Sequence, residues 1–333
     1  MTAATGVGSY PGEDFHQAIA IVLGELAQDQ HGLPHLPELP DRGAVAGLTG
    51  RGLAVVAELG ADLQPAGWRL TGGGAGVDHR RARSLLAQDL DAVEERAEGW
   101  TGPFKIQVPG PWTLAATVER PRGDKILADH GARRDLAQAL AEGVRGHVSD
   151  VRRRLPGVDR LVVQVDEPAL AAVLDARVPT ASGFGRHRKV DAPEASQALA
   201  WVLDAVAGEG AEPWVHTCAP GTPLDLLRGA GARALSVDLT VLSAADHDVL
   251  GEALEAGETV ALGVVPGIDP ADEPTDAGLT ESVLRWLDML GLDPGEVGEQ
   301  LVLTPACGLA GASPAWVRRA LALVRSAAGN LTA

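Results

Sequence analysis

The stretch DRLVVQVDEPA (residues 159–169) decides the fold. Its centre is a run of β-branched and apolar residues, and two carboxylates, Asp166 and Glu167, follow that run directly. A short apolar run of this kind reads as a strand buried on both faces, as strands of a parallel sheet are. Working outward, seven more short runs read as strands. They are TGVGSYP (5–11), ADLQPAG (61–67), FKIQVPGP (104–111), EPWVHTCAP (212–220), ARALSVDLT (232–240), ETVALGVVPG (258–267) and QLVLTPACG (300–308). Between them lie longer Ala/Leu/Arg/Glu segments with helical periodicity, at 78–98, 133–155, 192–208 and 312–329. The last begins with a Ser313–Pro314 helix start. Strand and helix alternating about eight times predict a parallel sheet. At 333 residues, eight such units predict an α/β fold, a single closed (β/α)8 TIM barrel forming one catalytic domain over 1–333. An open Rossmann-like sheet is the competing fold. TGGGAG (71–76) does not fit GxGxxG and follows no clean apolar strand, so it reads as a loop.

Composition narrows the function. The formal net charge is −17, and an acidic surface repels phosphate backbones and anionic lipids, so neither nucleic acid nor a membrane surface is expected as partner. No apolar stretch reaches bilayer length. The first residues do not read as a signal peptide, and two distant cysteines do not make a disulfide framework. A cytoplasmic protein with reduced thiols is the expectation.

In a parallel barrel the active site lies at the C-terminal strand ends. There the sequence places Ser9, Asp166 with Glu167, His216 with Cys218, Asp238, and Cys307. Both cysteines of the chain are in this set. His216 and Cys218, one residue apart, point to the same side of a strand end. With Cys307 and Asp238 they make a donor set that suits tetrahedral zinc. Singly, a cysteine is more often a small buried hydrophobe and Asp238 could cap a helix. Asp166 suits a substrate ammonium, whereas Glu167 is as readily a solvated neighbour. Ser9, in the GSYP turn (8–11), can donate to a carboxylate. Trp112, in VPGPWTLA (108–115), reads as packing.

Taken in order, GSYP (8–11), GPWTL (110–114), VQVDEPAL (163–170), VHTC (215–218), LSVD (235–238) and TPACGLAG (304–311) resemble the catalytic C-terminal barrel of the cobalamin-independent methionine synthase family. Uroporphyrinogen decarboxylases share the barrel but would not supply His-x-Cys and the final Cys. The resemblance implies a zinc-dependent methyltransferase that moves a methyl group to the thiol of homocysteine, giving methionine. His216, Cys218 and Cys307 fall on zinc ligands, and Asp238 falls where the family has a glutamate. Asp166 falls on the carboxylate that holds the homocysteine amino group, and Ser9 falls near its carboxylate; Glu167 is kept as a further substrate contact.

Two departures bear on the methyl donor. The family's full-length enzyme has an extra N-terminal barrel, for which 333 residues leave no room. GVVPGIDP (263–270) carries no histidine where the family has one for proton delivery. Asp269 is the only acidic group nearby and stands as the catalytic candidate. The donor is therefore open between methyl-folate and a corrinoid protein. Two other readings are carried: a zinc-thiolate alkyltransferase for another small thiol, and a zinc-binding barrel without catalysis. An intact Asp166 and Ser9 argue against the second, and the absence of a nucleotide fingerprint argues against an oxidoreductase.

Overall fold

The computed structural model describes residues 1–331. Its strands are β1 (Ala3–Ala4), β2 (Ala61–Gln64), β3 (Gly67–Leu70), β4 (Gly102–Pro109), β5 (Val158–Asp166), β6 (Glu212–Thr217), β7 (Ala234–Asp238), β8 (Thr259–Val265) and β9 (Leu301–Pro305). Seven of them form one curled sheet in the order β1-β9-β8-β7-β6-β5-β4, and every neighbouring pair is parallel. This is the barrel-like α/β fold expected.

Two staves differ from expectation: β1 is the short pair Ala3–Ala4, just before the 5–11 run rather than within it. The run at 61–67 lies outside the barrel, where β2 pairs antiparallel with β3 as a two-stranded hairpin. The gap between β1 and β4 is filled instead by residues 31–38. Leu33 N donates to Ala4 O, Leu36 N to Lys105 O, Lys105 N to Pro34 O, and Glu38 N to Gly8 O. Pro34 and Pro37 have no N–H to give a regular ladder, so this stave pairs only through isolated bridges.

Helices cover the outside. Val77–Arg96, His130–Arg154, Ala192–Gly208 and Pro314–Leu331 match the four helical segments read from periodicity, and Ser313 Oγ accepts from Trp316 N at the last start. Trp112 is buried and its Nε1 donates to Ala195 O, a packing role. Residues 71–76 are a loop. Among the described residues no helix is long and apolar enough to cross a membrane.

The barrel interior is layered, because side chains two residues apart on a strand share a face. Leu33, Val162, Trp214, Ala234, Ala261 and Val302 pack together as an apolar floor. Two residues further along, Gln164, His216, Ser236 and Thr304 form a buried polar layer. Two further again come Asp166, Cys218 and Asp238, at the mouth.

Candidate metal and substrate site

His216 is the inward residue near the end of β6. Its Nδ1 lies 2.9 Å from Ser236 Oγ on the neighbouring β7, while its Nε2 is buried and has no hydrogen-bond partner. Cys218 follows one residue beyond the strand, and Cys307 follows β9. Their Sγ atoms are 2.7 Å apart, and one ligand atom from each of His216, Cys218 and Cys307 lies within 4.8 Å of the others. The two sulfurs act on each other in opposite directions: the contact with Cys218, helped by His216 and the Gly308 amide, lowers Cys307, and the contact with Cys307 together with burial raises Cys218. An orphaned imidazole nitrogen beside two soft sulfur donors fits a zinc ion.

Asp238 is not in that group. Its Oδ1 accepts from Thr240 N (2.8 Å) and Thr240 Oγ1 (2.7 Å), so it caps the turn Leu239–Val241. It is near enough for its charge to bear on Cys218.

A cavity of about 210 Å³ opens beside the thiols. Its polar wall is Ser9, Glu38, Asp166, His216, Cys218 and Cys307, and Val7, Pro40, Ala46 and Leu48 supply apolar surface. Burial pushes the Asp166 carboxyl up; His216 opposes that shift and the Glu38 charge adds to it. Ser9 reaches the wall because residue 308 is glycine. A Cβ there would stand 2.0 Å from Ser9 Oγ.

Glu167 points elsewhere. It is fully buried, and its carboxylate accepts from Trp112 N (2.9 Å), Thr113 N (2.8 Å) and Thr113 Oγ1 (2.7 Å) at the start of the helix Pro111–Thr117. Burial pushes it up to about 7 against these three donors. Gly110 is required here, since a Cβ would lie 2.2 Å from Glu167 Oε1. Asp269 does not line the cavity. It holds Ser313 N (2.7 Å) and Ser313 Oγ (2.5 Å), and these hydrogen bonds keep its carboxyl below the usual range.

Three groups in or under the site escaped sequence reasoning. Glu38 ends the irregular stave and is held by Arg51 Nε at 3.2 Å; Arg51 shares Asp89 with Arg42. Gln164 donates to Asp166 Oδ1 at 2.7 Å. Lys105 is buried in the barrel interior; burial pulls its ammonium down, and the Asp166 and Glu38 charges oppose that shift. A charged residue inside the strand run FKIQV was the available signal for Lys105. A larger open depression, about 590 Å³, lies at the N-terminal ends of β5, β6 and β8, away from these groups.

Residues 112–330 match the sequence model of the family described as cobalamin-independent synthase, catalytic domain. A 5-methyltetrahydropteroyltriglutamate–homocysteine methyltransferase of Rhodococcus jostii (strain RHA1) is 29% identical over 250 residues, covering 73% of this chain. The match spans only 29% of that relative's length. Among solved structures, a B12-independent methionine synthase from Shewanella sp. W3-18-1 in complex with selenomethionine superposes with a TM-score of 0.63 at 14% identity, covering 99% of this chain and 97% of that one. A methyltransferase from Methanosarcina mazei gives 0.59 at 15% identity, covering 99% and 93%. At these identities the likeness is one of fold.

Proposed function

Because the chain belongs to the cobalamin-independent synthase catalytic-domain family, we propose that this barrel, acting as one domain over 1–333, moves a methyl group onto the thiol of homocysteine, with zinc held by His216, Cys218 and Cys307. The observation that carries the reading is the buried, partnerless Nε2 of His216, grouped with both thiols beside a cavity that also has Asp166 and Glu38 in its wall. Zinc bound there would deprotonate a substrate thiol at neutral pH and orient its sulfur.

The chain's own residues do the rest. Ser236 fixes the imidazole so that Nε2 is free to ligate. Asp238, engaged by Thr240, stands beside the set, and its charge bears on Cys218. Asp166 and Glu38 take the ammonium, which answers the cost of two buried carboxylates facing one cavity. Ser9 donates to the carboxylate. About 210 Å³ suits an amino acid and is below the usual range for larger ligands.

Proton demand separates the two donors. A tetrahydrofolate nitrogen must be protonated as it leaves, whereas a corrinoid cobalt leaves with the electron pair and needs no proton. Asp269, ionised and bound to Ser313, is a poor acid, which favours the corrinoid donor.

The test is metal content and methyl transfer together. The parent is expected to hold about one zinc per chain, Cys307→Ser clearly less, and Asp238→Asn nearly as much as the parent. With homocysteine, methylcobalamin is expected to turn over faster than methyltetrahydrofolate. A parent that takes up no zinc under reducing conditions would sink the reading.

A further inference from the structure

The barrel interior holds one ammonium, and the proposed chemistry has not used it. Lys105, on β4, is fully buried and forms no ion pair among the described residues. Its Nζ donates to Gln164 Oε1 at 2.8 Å and to Val7 O at 3.0 Å, with Gln107 Oε1 at 3.5 Å. A buried ammonium without a touching carboxylate is costly, and an apolar chain of the same length would fill the space without that cost.

Its chemistry is one-sided. An ammonium only donates, so the Gln164 amide must turn its oxygen toward Lys105. The amide NH2 is then forced to the other side, where it donates to Asp166 Oδ1 (2.7 Å) and Val7 O (2.9 Å). The reversed amide would set nitrogen against ammonium and oxygen against carboxylate. Lys105 thus fixes the direction of a two-step relay, engaging Asp166 Oδ1 from beneath while the residue still lines the cavity. Val7 O accepts from both Lys105 and Gln164 and holds the two side chains together.

We propose that Lys105 is a positioning residue for amino-group recognition, acting through Gln164 to aim the Asp166 carboxylate at the substrate ammonium. This rests on Asp166 being the ammonium seat, as proposed above.

The experiment titrates zinc-loaded protein with homocysteine and with 4-mercaptobutanoate, which keeps the thiol and carboxylate and lacks the amino group. The parent is expected to prefer homocysteine. Lys105→Met is expected to lose about tenfold of that preference, with zinc content and 4-mercaptobutanoate affinity unchanged. A merely structural lysine would weaken both ligands together. Equal weakening of both, or an undiminished preference, overturns the proposal. If Lys105→Met fails to fold, Gln164→Met cuts the relay one residue later and is read by the same rule. A parent that binds both thiols alike overturns Asp166 as the ammonium seat, and the relay's role with it. That failure is visible before any variant is made, so the two are distinguishable.

Discussion

His216 has two ring nitrogens with opposite fates. For Nε2 to ligate a metal it must be unprotonated, so Nδ1 carries the proton and donates to Ser236 Oγ at 2.9 Å. Ser236 therefore sets the tautomer without touching the cavity. Ser236→Ala removes that acceptor from a buried ring, and zinc affinity is expected to fall about 10- to 100-fold. Competition with a chromophoric chelator measures it; an unchanged affinity would mean the ring is held by packing alone. Asp238 and Asp269 show why residue type is a weak guide at strand ends. Both read as site acids, yet Asp238 turns back on Thr240 two residues on, and Asp269 is taken by Ser313 at the start of the last helix, a partner far off in sequence.

At the scale of elements, Glu167 belongs to the helix Pro111–Thr117 rather than to the cavity. Three donors converge on its two oxygens, and two of them are N–H groups that the helix start leaves without an intrahelical acceptor. Glu167→Gln keeps the shape but replaces one acceptor oxygen with a donor, so one buried N–H loses its partner. The expected cost is about 1–3 kcal/mol of stability, read from urea unfolding, with homocysteine affinity nearly unchanged. A variant that loses affinity and keeps its stability would return Glu167 to the substrate. The neighbouring carboxylate pair was legible as a strand end, but which of the two faces inward is set by strand parity. Asp166 shares the inward parity of Gln164 and Val162. The stave at 31–38 was not legible, because Pro34 and Pro37 erase the alternating pattern and the ladder together. Glu38 was lost with it. ADLQPAG imitates that stave because it has strand-like residues in the right place in the order; its Pro65–Ala66 turn folds it back on β3 instead. Staves β5 to β9 carry short, largely apolar runs of the kind a doubly covered parallel sheet uses, which is why their ends, and the three grouped donors His216, Cys218 and Cys307, could be read directly.

At the scale of the whole molecule, acid works against the fold through histidines sealed inside it. His35, His79 and His147 are all buried, and burial lowers the pKa of each. His147, on the helix His130–Arg154, is drawn down to about 4. The Arg51 charge reinforces burial there, and Asp150 opposes it. The unfolded chain titrates this ring near 6.5. Its folded pKa is lower, so the stability it contributes is fully present above about 6.5 and is lost as pH falls toward 4. Between pH 7.5 and pH 5 that loss is about 2 kcal/mol for His147 alone. The surface carboxylates and the other two histidines also titrate on acidification, so the parent's curve by itself assigns nothing. His147→Leu isolates the group, because the His147 ring makes no hydrogen bond among the described residues and its volume is nearly kept. The expected result is a variant whose unfolding free energy in urea falls by about 2 kcal/mol less than the parent's over that window. Parallel losses in the two proteins would mean that the ring takes up its proton without leaving the helix interface.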